Sequence, residues 1–68
     1  MISARNQFKG TIKSVKLGTV MAEIVIEVGG GIEVVSAITR GSAEAMGLQA
    51  GKKVTAIIKA TEVMVAAE

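Results

Sequence analysis

The sequence predicts an all-β fold: five short strands curled into a small barrel, with one short helix between strands three and four. Three features point to it. From Thr19 to Val28 the even positions Val20, Ala22, Ile24, Ile26 and Val28 are apolar, while the odd ones include Thr19, Glu23 and Glu27. That period-two alternation belongs to a strand with one buried face. The run Gly29-Gly30-Gly31 then breaks the pattern as a turn before Ile32 to Thr39 resumes it, which predicts a hairpin. The third feature is a single helix signature, only one or two turns long, set between strand-like segments.

Ahead of the hairpin, Phe8 to Leu17 is also strand-like, but its apolar positions change parity, from Phe8 and Ile12 to Val15 and Leu17. Such a switch predicts a bulge or bend near Ser14, and long bent first strands are how small barrels turn corners. After Thr39, Ser42 to Met46 reads as the helix, with Ser42 as N-cap and Gly47 as the left-handed terminator. Gln49-Ala50-Gly51-Lys52 is a turn, and Lys53 to Lys59 and Thr61 to Ala66 make the last two strands. Three strands, a short helix and two strands is the element order of a small OB-type barrel.

The last two strands carry apolar residues on both faces: Val54, Ala56 and Ile58 against Ile57, and Val63 and Val65 against Met64. A barrel wall has one inside, so the second face calls for a neighbouring subunit. Composition leads the same way. The chain has 68 residues without a linker, repeat or low-complexity segment, and reads as one domain over residues 1–68. It has no Cys for a disulfide and lacks the Cys and His ligands of a structural zinc, and Phe8 is its one aromatic. Chains this short rarely gain more than about 3–5 kcal/mol from their own core, which leaves association of copies as the source of stability.

Mean hydropathy is high, +0.53, yet no apolar run approaches the roughly 18 residues that span a bilayer. Met1 to Asn6 lacks the basic and apolar regions of a signal peptide, so a cytoplasmic, membrane-free protein is expected. A net charge of +2 favours anionic partners in general and identifies none.

Catalysis at neutral pH usually recruits His, Cys, Asp or a tuned Glu, and only Glu is present. A Ser42–Lys59 pair has no local motif behind it. The expectation is a non-enzyme without catalytic residues, metal ligands or cofactor. Oxyanion binding needs converging donors and one or two fixed positive charges. Three segments offer these: Ser3-Ala4-Arg5-Asn6-Gln7, Thr39 through Ser42, and Lys59-Ala60-Thr61. Singly, Arg5 reads equally as a solvated charge, Ser42 as a helix cap and Lys59 as an edge-strand charge.

Taken together, Ser-Ala-Arg-Asn-Gln, Lys9-Gly10, Ile38-Thr39-Arg40-Gly41-Ser42 and Lys59-Ala60-Thr61 resemble the molbindins, or Mop domains, over essentially the whole chain. These are small cytoplasmic molybdate-binding proteins of bacteria. The resemblance implies an OB-like barrel assembled as a homo-hexamer, a trimer of dimers, that binds molybdate or tungstate between subunits for molybdenum storage or homeostasis. It matches Ser3, Arg5, Thr39, Ser42, Lys59 and Ala60 to the principal site. Arg5 and Lys59 would neutralise the dianion, Ser3, Thr39 and Ser42 would donate through hydroxyl or amide, and Ala60 through its backbone N–H. Arg40-Gly41 departs from the family pattern, in which an uncharged residue is often followed by an acidic or amide one.

The alternatives are an OB-fold module for single-stranded nucleic acid, a ligand-free structural oligomer, and a sulfate or phosphate binder. Nucleic-acid grooves stack bases on aromatics at about 1–3 kcal/mol per base, and Phe8 alone makes no platform, so no nucleic-acid partner is expected. The tetrahedral anions differ in size, which sequence does not encode.

Overall fold

The long bent strand expected at the start organises the molecule. In the computed structural model, which describes residues 4–67, it is β1 (Asn6–Leu17), followed by β2 (Met21–Gly29), β3 (Ile32–Thr39), α1 (Arg40–Ala45), β4 (Lys53–Ile58) and a 3-10 turn at Ala60–Glu62. The strands form one antiparallel sheet in the order β3-β2-β1-β4. Against β2, Ile12 pairs with Ile26 and Ser14 with Val25, which leaves Lys13 as the extra, bulged residue. The bulge keeps the apolar residues of both halves of β1 on one side of the sheet: Ile12 is buried in the core and Val15 packs on it, while Phe8, opposite Ala56, and Leu17, opposite Ala22, lie on the same side but are half exposed.

The β2–β3 hairpin turns at Gly29, Gly30 and Gly31, all at positive φ, a conformation that glycine adopts without steric penalty. Alternation on β2 delivers Ala22, Ile24 and Ile26 to a core that also holds Ile12, Ala43 and Ala56. Val20, expected on the same face, precedes the strand and is 69% exposed.

Two expectations need correction. The helix begins at Arg40, not after Ser42, and its N-cap is Thr39, whose hydroxyl oxygen accepts from the Ser42 N–H. The reason lies in the ladder. β3 stays extended through the Thr39–Met21 pair and the Arg40 N–H bonds Val20 O at 2.8 Å, so Thr39 is where extended backbone gives way to helix. Gly47, at φ +63, follows the helix as expected.

The second correction concerns the fifth strand. Among the described residues there are four strands; after Ile58 the chain enters the 3-10 turn, and residues 63–67 have no strand partner. Alternation from Thr61 to Ala66 expresses a capacity for strand, but ladder hydrogen bonds need an edge to pair with. The sheet is therefore a half-barrel, and an apolar cavity of about 570 Å³, lined by residues such as Ile12, Ile24, Val34 and Ile58, opens between its edges. No helix among the described residues is long and apolar enough to cross a membrane.

Gly10 is the most closely confined of the glycines: a Cβ there would collide with the Glu27 carbonyl oxygen and lie 2.9 Å from Ile26 Cγ2. Backbone yields poorly, so Gly10→Ala is expected to destabilise the fold by about 1–3 kcal/mol, the usual range for overpacking. Urea unfolding checks this; an unchanged midpoint would show that the two strands separate freely there.

Candidate functional site

Arg5 stands one residue before β1 and Lys59 one residue after β4. Because the β1–β4 register pairs Asn6 with Ile58, strand pairing brings both cations to one corner of the sheet. Ala4, Arg5, Lys59, Ala60 and Thr61 line an open recess of about 320 Å³ there. The ion pairs among the described residues are Lys13–Glu33 and Arg40–Glu44, so neither corner cation is neutralised in this way. Two adjacent positive charges repel, and a dianion between them converts that repulsion into attraction. The 3-10 turn adds donors: Glu62 and Val63 give their N–H groups to Lys59 O and Ala60 O, while the leading amides of Ala60 and Thr61 have no partner within the turn.

Thr61, part of the Lys59-Ala60-Thr61 donor segment but not among the residues the resemblance matched to the site, lines the same recess. Ser3 lies outside the described residues.

Thr39 and Ser42 sit elsewhere. Thr39 Oγ1 accepts from the Ser42 N–H at 3.1 Å and donates to Ser42 Oγ at 2.8 Å. Of the two hydroxyl hydrogens, one is engaged internally, so the pair presents one O–H outward. Thr39 pairs with Met21, beside the end of β1 where Leu17 meets Ala22, whereas Arg5 leads into the strand's start. Twelve residues of strand separate the two groups, a contour of about 40 Å at roughly 3.3 Å per residue, which the bend at the bulge shortens. The fold thus unites Arg5, Lys59 and Ala60 and holds Thr39 and Ser42 at the opposite end of β1.

The departure at Arg40 has a local use. Its guanidinium donates to Gly18 O at 3.2 Å and meets the Glu44 carboxylate at 3.4 Å, tying α1 to the β1–β2 turn. Lys13, on the bulge, has its pKa raised by its hydrogen bond to Glu33; it lies in neither group. No cluster of three or more potential metal-ligating side chains occurs among the described residues.

Residues 2–65 match the TOBE domain family model. The chain is 50% identical over 66 residues to "Molybdenum-pterin-binding protein 3" of Clostridium pasteurianum, with 97% of each chain covered. A solved molybdate binding protein from Sporomusa ovata matches with a TM-score of 0.92 at 46% identity, over 98% of both chains. The cytoplasmic molybdate-binding protein ModG, solved with molybdate bound, matches with a TM-score of 0.83 at 49% identity, over 87% of this chain and 42% of ModG. With this coverage and identity added to the half-barrel and its basic corner, the chain belongs to the TOBE-domain family and, within it, to the molbindins.

Proposed function

We propose that the chain binds molybdate, and the similarly sized tungstate, between subunits of a cytoplasmic homo-hexamer arranged as a trimer of dimers, serving molybdenum storage or homeostasis and not catalysis. The observation that carries this reading is the separation of the two donor groups. Arg5, Lys59 and Ala60 stand at one end of β1 and Thr39 and Ser42 at the other, so an anion touching both groups must lie between two copies. In that arrangement Arg5 and Lys59 neutralise the dianion, Ser3 and the Thr39–Ser42 pair donate hydrogen bonds, and Ala60 donates its backbone N–H.

The surface of the isolated chain supports the assembly. It exposes 5372 Å², whereas a compact monomer of its 7.0 kDa mass would expose about 4,000 Å². Among the described residues its buried core contains only Ile12, Ile24 and Ile26 besides alanines, while Val35, Ile57, Met64 and Val65 are exposed. Burying the tail of each copy as a fifth strand on another would cover much of this excess. The relatives support the ligand: those compared are described as binding molybdate or molybdenum-pterin.

Equilibrium dialysis against molybdate with competing sulfate, together with light scattering on a size-exclusion eluate, tests the reading. A hexamer that retains molybdate in the presence of excess sulfate is expected. A stable monomer at micromolar concentration would remove the site between subunits.

A further inference from the structure

We infer that Gln7 is a positioning residue for the anion site: its side-chain amide clamps the backbone ahead of β1 and so holds Arg5 in the corner beside Lys59. The inference rests on the molybdate-binding reading. The β1–β4 ladder begins at the Asn6–Ile58 pair, so Arg5 lies outside it and no strand pairing fixes its backbone. Gln7 lies within the ladder, paired with Ile57. Its Nε2 donates to Ala4 O at 2.9 Å in a partly buried bond, closing a four-residue loop in which Arg5 is held between a buried residue, Ala4 at 9% exposure, and the strand itself.

The chemistry asks for an amide. The target is a carbonyl oxygen, so position 7 must donate; a glutamate at neutral pH offers acceptors alone and a methionine offers no donor. An Arg side chain has many rotamers, and fixing the backbone from which it springs reduces the ordering that the anion must impose.

The test is a double-mutant cycle on molybdate affinity, using Gln7→Met, Arg5→Ala and their combination in the full-length oligomer, with Gln7→Glu as a second variant that keeps the side chain's shape. In the wild-type background, loss of this hydrogen bond is expected to weaken binding about five- to tenfold. In the Arg5→Ala background the same change is expected to matter by less than about twofold, because a residue acting through Arg5 has nothing left to position. Equal losses in both backgrounds would overturn the inference and make Gln7 a general support of the fold. A second readout needs no ligand: the backbone amide of Arg5 is expected to gain fast motion by NMR relaxation in Gln7→Met, with the amides of β2 unchanged. An equally ordered Arg5 amide in the variant would refute the clamp. Failure of the wild-type chain to take up molybdate would instead refute the anion reading, and the relaxation measurement would still decide on the clamp.

Discussion

Replacing Arg5 or Lys59 by alanine is expected to weaken molybdate binding by about 2–5 kcal/mol, the range for removing one partner of a buried charge pair. The two cations flank one recess, and in the proposed site a dianion enclosed between subunits would have lost its water, so each charge removed would leave the anion undercompensated. Lys53→Ala is the control. Lys53 begins β4, at the opposite end of that strand from Lys59, and pairs with Thr11. Calorimetric titration of the three variants separates a local site from diffuse attraction. Equal losses in all three would mean that the net positive charge alone draws the anion and that the corner has no special role.

Molybdate or tungstate at about a hundredfold excess over its dissociation constant is expected to stabilise the folded oligomer by about 2.7 kcal/mol per site. In a domain of this size that raises the melting temperature by about 10–20 °C. In the proposed assembly the effect is large because an anion between subunits would tie together chains that must part in order to unfold. Sulfate and phosphate at equal concentration and ionic strength should shift it far less, since donors spaced for a larger tetrahedron leave long or missing hydrogen bonds to a smaller one. The chain has no Trp or Tyr, so circular dichroism or calorimetry follows the melt. Equal shifts from all four anions would indicate general screening of a basic surface in place of a shaped site.

What the sequence determined by itself is local. Alternation placed Ala22, Ile24 and Ile26 on one face, the three glycines located the hairpin turn, and the parity change located the bulge at Lys13 next to Ser14. Each is a matter of side-chain period or backbone freedom within a few residues. Motif resemblance marked Arg5, Lys59 and Ala60 as companions without saying how they meet.

Tertiary structure decided the rest. Thr39 and Ser42 both carry the hydroxyl a helix cap needs, and the end of the β2–β3 ladder chose Thr39. Thr61 to Ala66 alternates like a strand, yet a strand exists only where a neighbour supplies hydrogen bonds, and within one chain none does among the described residues. The candidate site follows the same rule. Arg5 and Lys59 are 54 positions apart in the chain (59 minus 5), and the register of β1 on β4 brings them together while the length of β1 holds Thr39 and Ser42 away. Register is a property of paired strands, set by which hydrophobic faces are buried together, and so it becomes visible only once the sheet has formed.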